Sequence, residues 1–203
     1  MAIQDYDKNI QGKLMTREYF NELYTKDSNP WLQDGSGNYF QYNIDARLNL
    51  ARCIRHLKGN VTEVGCGLGY ALDTISYNAP GRKYTGVDIS DVAINKARAL
   101  FPGNKFLVAD IRNEIIKNEI IILNEILWYV IHDFDKVLDN CECRYLIINH
   151  GFLKEQKFDR DIIDGWGGLL AHLLMRDYTI LHANYNASGE PFMNGLVLCQ
   201  KSM

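Results

Sequence analysis

The sequence predicts an α/β fold, in which a mostly parallel sheet carries helices on both faces and ends in an antiparallel C-terminal hairpin. Three observations predict this class. Short apolar runs of strand length alternate with helix-length segments between residues 61 and 149, and this alternation is typical of a parallel sheet. A glycine-rich turn directly follows the first run. Beyond residue 175, two strand-like runs flank a segment rich in Asn, Gly and Pro, which favours a hairpin.

The elements follow one another in a regular order along the chain. Apolar residues at steps of three and four predict a helix over 43–57, and Gly59 is a typical helix stop. Ser90 is a candidate N-cap for a helix that stops at Pro102 and Gly103. Further helices are predicted after Gly69, between residues 123 and 145, and around Asp161–Met175. Strands are predicted at Val61–Val64, Tyr84–Val87, Phe106–Ala109, Ile120–Leu123, Tyr145–Asn149, Tyr178–Ala183 and Gly195–Cys199.

Composition limits the kinds of protein that this chain can be. With 203 residues and 47% hydrophobic content, we expect a single domain over 1–203, with an N-terminal lid segment (1–42) and a core (43–203). The formal net charge of -3 disfavours nucleic acid as a partner, because phosphate backbones are bound mainly by basic surfaces. The sequence shows no secretion signal and no run of about 18 apolar residues. We therefore expect a cytoplasmic protein without a membrane partner, either a monomer or a homodimer.

The five cysteines indicate reduced thiols rather than a disulfide framework. They are odd in number and irregularly spaced. Cys141 and Cys143 flank one residue, but no second Cys or His pair stands at a zinc-like spacing. We expect no metal site.

The glycine-rich turn predicts a nucleoside site. Gly65, Gly67 and Gly69 follow the strand Val61–Val64, and glycine lets a backbone turn tightly and lie close to a ligand. Tyr70 stands where a dinucleotide fingerprint needs a third glycine or alanine, and no Gly-Lys-Ser or Gly-Lys-Thr of a phosphate loop is present. The sequence therefore favours a nucleoside ligand without a pyrophosphate.

Two carboxylates complete the predicted crevice at the carboxyl ends of three strands. Asp88 ends the second strand, where a carboxylate accepts hydrogen bonds from ribose hydroxyls. Asp110 ends the third strand and is placed to accept from an adenine amino group. Each has a simpler interpretation, because an Asp after a strand is often only a helix cap.

The order and spacing of these segments resemble the first three motifs of class I S-adenosylmethionine-dependent methyltransferases. The segments are 63–69, 84–90 and 106–111. The resemblance implies a Rossmann-like sheet of seven strands, the last of them antiparallel, with S-adenosylmethionine as cofactor and S-adenosylhomocysteine as product. It also implies that Glu63 lies near the methionine amino group. The candidate cofactor-binding residues are Glu63, Gly65, Cys66, Gly67, Gly69, Asp88, Ile89, Asp110, Ile111 and Asn124.

A closer resemblance covers residues 16 to 140. The segment Arg17–Trp31 and the stretch Leu123–Val130 are similar to parts of the nodulation N-methyltransferase family and its small-molecule relatives. That family follows its Pro-Trp pair with an aromatic residue, a Glu and a basic cluster, whereas residues 38–42 carry no acid or base. The resemblance implies a small polar acceptor that is methylated on nitrogen or oxygen. A macromolecular methyltransferase and a nucleoside-binding protein without transfer activity remain as alternatives.

Candidate acceptor-side residues lie after the fourth and fifth strands and in the N-terminal segment. His150 is the first candidate for a general base, because a histidine pKa lies near working pH; a structural loop histidine is the alternative. His132 is the second candidate, and Glu125 is either a site residue or a first-turn helix acid. Substrate and lid candidates, for which ordinary packing is the alternative, are Trp31, Tyr39, Tyr42 and Tyr129.

Overall fold

The structure is a computed structural model that describes residues 15–36, 40–153, 162–186 and 192–201. Its strands are β1 Val61–Val64, β2 Tyr84–Asp88, β3 Lys105–Val108, β4 Ile116–Lys117, β5 Ile120–Asn124, β6 Cys141–Glu142, β7 Tyr145–Leu153, β8 Tyr178–Asn186 and β9 Phe192–Lys201. Its helices are α1 Arg17–Lys26, α2 Phe40–Arg55, α3 Tyr70–Asn78, α4 Asp91–Leu100, α5 Leu127–Val130, α6 Phe134–Asn140 and α7 Gly165–Met175, and a 3₁₀ turn spans Ile131–Asp133.

A seven-stranded sheet forms the centre of the fold. Its strand order is β3-β2-β1-β5-β7-β9-β8, and β4 pairs with β6 separately. The β1, β2, β3, β5 and β7 pairings are parallel, whereas β9 runs antiparallel to both of its neighbours. The predicted fold class is confirmed. The strand order reverses between β1 and β5, and α/β sheets bind their ligands at the carboxyl ends of the strands at such a point.

Two apolar layers cover the sheet. On one face, α2, α3 and α4 pack on the sheet through buried residues such as Ile54, Ile75 and Ile94. On the other face, α5, α6 and α7 pack around Phe134, Leu138 and Leu169. Alternate residues of each strand enter opposite layers, as the pleat requires. Because β5 and β7 are enclosed on both faces, their sequences contain the continuous apolar runs Ile120–Leu123 and Leu146–Ile148.

Local signals set the ends of several helices. Ser90 caps α4 as predicted, because its hydroxyl accepts a hydrogen bond from the Ala93 N–H at 3.0 Å. Helix α2 begins at Phe40 rather than at residue 43, so it crosses the expected boundary between lid and core. Helix α7 begins at Gly165, a residue with φ of 63°, rather than at Asp161. Among the described helices, none is both long enough and apolar enough to span a membrane.

Candidate functional site

The turn after β1 has the bend that the sequence predicts. Gly65, Gly67 and Gly69 have φ of 74°, 53° and 84°, a region that side-chain-bearing residues rarely adopt. The N–H groups of Gly65 and Cys66 both donate to the Val87 carbonyl, at 2.8 and 3.0 Å. These bonds hold the start of the turn against the end of β2, and α3 begins directly after Gly69.

Next to each glycine of the turn, a neighbouring side chain lies within contact distance of the position that a Cβ would take. A Cβ at Gly67 would come within 2.6 Å of both Gln33 and Tyr24. One at Gly65 would meet Ile126, and one at Gly69 would meet Phe106. The expectation that these glycines leave room for a ligand is therefore wrong in one respect, since their bare sides make room for neighbouring elements of the same chain.

Glu63 is the most unusual acid near the turn. Its side chain is 1% exposed, and burial raises its pKa to about 7 against the opposing effect of a hydrogen bond from Asn124. The Asn124 amide donates to Oε1 at 2.9 Å, whereas Oε2 is buried and has no partner among the described residues. A buried acceptor without a donor costs free energy. This oxygen is therefore suited to a cationic or N–H group of a ligand.

Arg47 on α2 is a candidate that the sequence analysis missed. It is 7% exposed, donates from Nη2 to the Gln33 carbonyl, and interacts electrostatically with Glu63. Burial lowers its pKa, while Glu63 and Asp34 oppose that shift. The available signal was an Arg between two apolar residues, Ala46 and Leu48, a pattern that Arg52 of the same helix shares. A buried guanidinium beside the turn suits a carboxylate of a ligand.

Asp88 lies at the end of β2 and faces the glycine turn. Its Oδ2 accepts from the Gly67 N–H at 2.8 Å, and its Oδ1 accepts from the Ser90 N–H at 2.9 Å. Burial raises the pKa of Asp88, although the backbone donors of Ser90, Gly67 and Ile89 oppose the shift. Each carboxylate oxygen can accept a second hydrogen bond, so Asp88 both stabilises the turn and retains capacity for a ligand.

Asp110 has a different environment from the one the sequence suggested. Nε and Nη2 of Arg112 form a fork with its two oxygens, at 2.9 Å each, and Asn113 donates to Oδ2 at 3.0 Å. Burial raises the pKa of Asp110, but the bonds from Arg112 outweigh it and the net shift is downward. Both oxygens of the predicted adenine acceptor therefore already have donors. Ile111 is 5% exposed and packs in the core.

A chain of polar side chains links the tips of β1, β5 and β7. The Asn149 side-chain amide donates to Oδ1 of Asn124 at 3.0 Å, and Asn124 in turn donates to Glu63. Glu125 continues this chain of side chains, because its Oε1 accepts from the Asn149 amide at 3.4 Å, and its Oε2 accepts from the Gly151 N–H at 2.9 Å. Glu125 has φ of 56°, and such strain in a non-glycine residue is common at functional sites. Asn149 was missed because its strand sequence is otherwise apolar.

His150 lies beside this chain of polar side chains, but its environment differs from the one that the sequence predicted. It is 1% exposed, and burial lowers its pKa to about 3, so the argument from a pKa near working pH is wrong. Its ring lies 4.7 Å from that of Trp128 and 5.1 Å from that of Phe152, between centroids. Neither ring nitrogen has a hydrogen-bond partner among the described residues, although Nδ1 is 3.5 Å from Glu125 Oε2.

The remaining candidates are scattered. His132 is exposed on the 3₁₀ turn, and it is not among the residues that join the polar chain. Cys66 is buried, and burial raises the pKa of its thiol. Ile89 is half-buried against the cluster of Met15, Phe20 and Trp128. Tyr39 and the side chain of Tyr42 lie outside the described residues.

The N-terminal segment packs over the turn. Gln33 Oε1 accepts from the Leu68 N–H at 2.8 Å. The Trp31 ring lies 5.3 Å from that of Tyr24 and 6.1 Å from that of Tyr129, between centroids. Trp31 and Tyr129 are therefore held in an aromatic cluster beside the site. Gln33 and Tyr24 were missed, and nothing in the local sequence distinguishes them.

Comparison with known proteins supports the interpretation of the turn. Residues 62–146 match a family described as "Methyltransferase domain". A trans-aconitate 2-methyltransferase of Paracidovorax citrulli (strain AAC00-1) is 34% identical over 62 residues, which cover 30% of this chain. The matched part spans 24% of that relative's length.

Solved structures share the fold over nearly the whole chain. Magnesium protoporphyrin IX methyltransferase from Synechocystis PCC 6803 with bound SAM gives a TM-score of 0.69 at 17% identity, covering 99% of both chains. The [4+2]-cyclase SpnF gives 0.68 at 14% identity, covering 93% of this chain and 97% of that one. The chain therefore shares the fold of these solved structures, and residues 62–146 match a methyltransferase domain family.

Proposed function

We propose that this protein transfers a methyl group from S-adenosylmethionine to a nitrogen or oxygen of a small polar metabolite, releasing S-adenosylhomocysteine. The observation that carries the proposal is the buried Oε2 of Glu63, which has no donor among the described residues and lies at the end of β1 where the glycine turn begins. S-adenosylmethionine has both an ammonium group, which suits this oxygen, and ribose hydroxyls, which suit the carboxylate of Asp88.

Four residues would hold the cofactor. Glu63 would accept from the methionine ammonium, and Arg47 would bind the methionine carboxylate. Asp88 would use its remaining lone pairs for the ribose hydroxyls. Asp110 would accept a hydrogen bond from the adenine amino group only through a carboxylate oxygen that already accepts from Arg112 or Asn113. It is therefore the weakest member of the set.

The cofactor supplies a methyl group on a positively charged sulfur, which leaves as a neutral thioether. The acceptor nitrogen or oxygen forms the new bond to carbon as the carbon–sulfur bond breaks, and the acceptor gives up one proton. The protein's main contribution is then to hold the acceptor in line with the methyl group, and such positioning contributes about 7 to 11 kcal/mol to a reaction of this kind.

Glu125 is the proposed proton acceptor. Its Oε2 lies 3.5 Å from Nδ1 of the buried His150 ring. Burial lowers the pKa of His150 to about 3, so the imidazole stays neutral and would position Glu125 rather than take the proton itself. His132 is a weaker candidate for this role, because it is exposed.

Support for a small acceptor comes from two directions. The matched relatives are named for trans-aconitate, a small organic acid. Beside the polar chain, the His150 ring lies against the buried rings of Trp128 and Phe152, which favours a compact acceptor. The proposal covers both nitrogen and oxygen as the methylated atom.

A labelling experiment tests the proposal. The protein is incubated with methyl-labelled S-adenosylmethionine and a metabolite extract, and mass spectrometry identifies any labelled product. A labelled small metabolite that is absent with the Glu63→Gln variant is the expected result. Label in RNA or protein instead would favour the macromolecular alternative.

A second candidate, binding without methyl transfer, is supported by the [4+2]-cyclase that shares this fold. Its signature is tight binding of S-adenosylhomocysteine in calorimetry, with no labelled product from any extract. That outcome would contradict the proposed transfer while leaving the cofactor site intact.

A further inference from the structure

One connection of the sheet lacks a helix. Strands β3 and β5 run parallel with β2 and β1 between them, so the chain must cross the sheet between residues 108 and 120. Such a crossover is usually helical. Residues 109–119 instead contain turns and the two-residue strand β4. The sheet face on the side of α5, α6 and α7 is therefore not covered by a crossover helix over the first halves of β1, β2 and β3.

This uncovered face forms a groove of about 780 Å³. Its floor includes Thr62, Thr85 and Leu107, which lie on three adjacent strands. Leu107 is 41% exposed and Ile115, on the rim, is 62% exposed. Single exposed apolar residues are common on protein surfaces, but these two lie in one concavity and offer a partner an apolar contact area.

The rim of the groove is basic. Among the described residues, the charged side chains that line it are Arg82, Lys83, Lys105 and Lys117. Lys117 forms an ion pair with Glu142 at 2.9 Å, whereas Lys83 and Lys105 form none with the described residues. Arg82 Nη1 is buried without a hydrogen-bond partner. This local excess of cations contrasts with the formal net charge of -3.

We propose that the groove is a docking site for an acidic amphipathic helix of a partner protein. Apolar residues of that helix would cover Leu107 and Ile115, and its Asp or Glu side chains would pair with Lys83 and Lys105. The helix would lie where a crossover helix usually covers the sheet, so the partner completes the missing layer. Charge complementarity is the basis for choosing an acidic partner.

The groove does not suit a nucleic acid equally well. Single strands are usually bound by aromatic side chains on which bases stack. The aromatic residue that lines the groove is Tyr84, which is 7% exposed and donates its hydroxyl to the Ala79 carbonyl. Neither Glu63 nor Asp88 lines the groove, so this inference does not depend on the proposed methyl transfer.

Peptide binding to the full chain tests the proposal. The probe is a fluorescently labelled synthetic helix with a Leu stripe flanked by Glu, and a matched peptide carries Lys at the Glu positions. Binding is measured by fluorescence polarisation at several salt concentrations, and amide chemical-shift changes locate the peptide. The variants are Lys83→Glu with Lys105→Glu, and Leu107→Ser. The control is Arg52→Glu with Lys136→Glu, which reverses two exposed charges outside the groove.

We expect the Glu peptide to bind, with an affinity that falls as salt rises. The Lys83 and Lys105 double reversal should weaken binding about tenfold or more and should bind the Lys peptide instead. Leu107→Ser should weaken binding at all salt concentrations, and the control should behave as the parent. Thermal unfolding and S-adenosylhomocysteine binding, measured for each variant, identify any loss of fold.

Three results would overturn the proposal. The first is no binding of the Glu peptide at concentrations up to about 1 mM. The second is binding of a labelled single-stranded RNA, but not of the peptide, through the same lysines. The third is a dimer in sedimentation that the Lys83 and Lys105 reversal dissociates, which would make a second copy the occupant.

Discussion

Glu63 and His150 are both fully buried, and burial affects their protonation in opposite directions. Each ordinarily carries a charge over part of the pH range, and desolvation penalises that charged form. The pKa of Glu63 is raised to about 7 and that of His150 is lowered to about 3. Both side chains are therefore held neutral over a wide pH range, one with its proton and one without.

For Glu63, the raised pKa predicts a loss of stability as pH rises. The unfolded chain releases this proton near pH 4.5, the ordinary pKa of a glutamate, whereas the folded protein retains it up to about 7. Between those values the folded state binds more protons, so the contribution of Glu63 to the free energy of unfolding falls as pH rises, by up to roughly 3 kcal/mol. Urea unfolding of the parent and of Glu63→Gln between pH 4.5 and 7.5 should therefore show that the stability difference, parent minus variant, decreases by this amount as pH rises.

The same substitution separates structure from ligand binding. Glu63→Gln should weaken S-adenosylhomocysteine binding by about 1 to 3 kcal/mol, because the ligand ammonium, which would favour the ionised form of Glu63, loses a charged acceptor. Calorimetry measures that change. A stability difference between parent and variant that does not vary with pH would show that Glu63 does not titrate in this range, and a variant with full affinity would remove Glu63 from the ligand site.

For Asp88, we expect a cost in both binding and stability. Asp88→Ala leaves the Gly67 and Ser90 N–H groups without their present acceptors, and it removes the proposed ribose acceptor. S-adenosylhomocysteine binding should weaken by about 1 to 3 kcal/mol in calorimetry. Asp110→Ala is the matched comparison, and it should affect binding less because Arg112 already engages that carboxylate. Equal losses would contradict the distinction between them.

At the scale of elements, two N-caps of the same kind have different surroundings. Thr16 caps α1 and accepts from the Tyr19 N–H at 3.2 Å. Ser90 caps α4, is fully buried, and also donates from its hydroxyl to Asn21 Oδ1 at 2.7 Å, which joins α1 to α4. The second cap therefore has a tertiary role as well as a local one.

This difference predicts unequal effects of removing the two hydroxyls. Thr16→Ala should lower the free energy of unfolding by about 1 kcal/mol, the ordinary value for a cap. Ser90→Ala should cost more, about 2 kcal/mol or above, because Asn21 loses a buried donor at the same time. Urea unfolding measures both. Equal costs would mean that the bond to Asn21 contributes little.

At the scale of the whole molecule, His150 should steepen acid unfolding. Its pKa is about 3 in the folded protein and near 6.5 when unfolded. Below pH 6.5 the unfolded state binds more protons, so the free energy of unfolding falls as pH is lowered towards 3. His150→Phe, which fills the same aromatic surroundings, should unfold less steeply with acid in that range.

The parent, measured over the same pH range, is the reference for this prediction. If His150→Phe follows the parent profile, the buried imidazole does not govern acid unfolding. Between pH 4.5 and 6.5 the Glu63 and His150 contributions have opposite slopes, so the parent should be flatter there than either single variant.

The sequence by itself determined the strand–turn–helix order and the fold class. Apolar periodicity, helix caps and glycine turns are encoded within a few residues, so β1, β2, β5 and the Ser90 cap were predicted close to their observed places. The Rossmann-like fold followed, because alternating strands and helices admit few topologies.

Only the tertiary structure decided what surrounds each functional side chain. The neighbours of Gly67, the Arg112 fork on Asp110 and the aromatic enclosure of His150 all depend on which side chains face one another. Burial and partner distance determine a pKa, and neither is encoded in local sequence when the partners come from distant elements. The missing crossover helix likewise became a groove only once β1, β2 and β3 lay side by side.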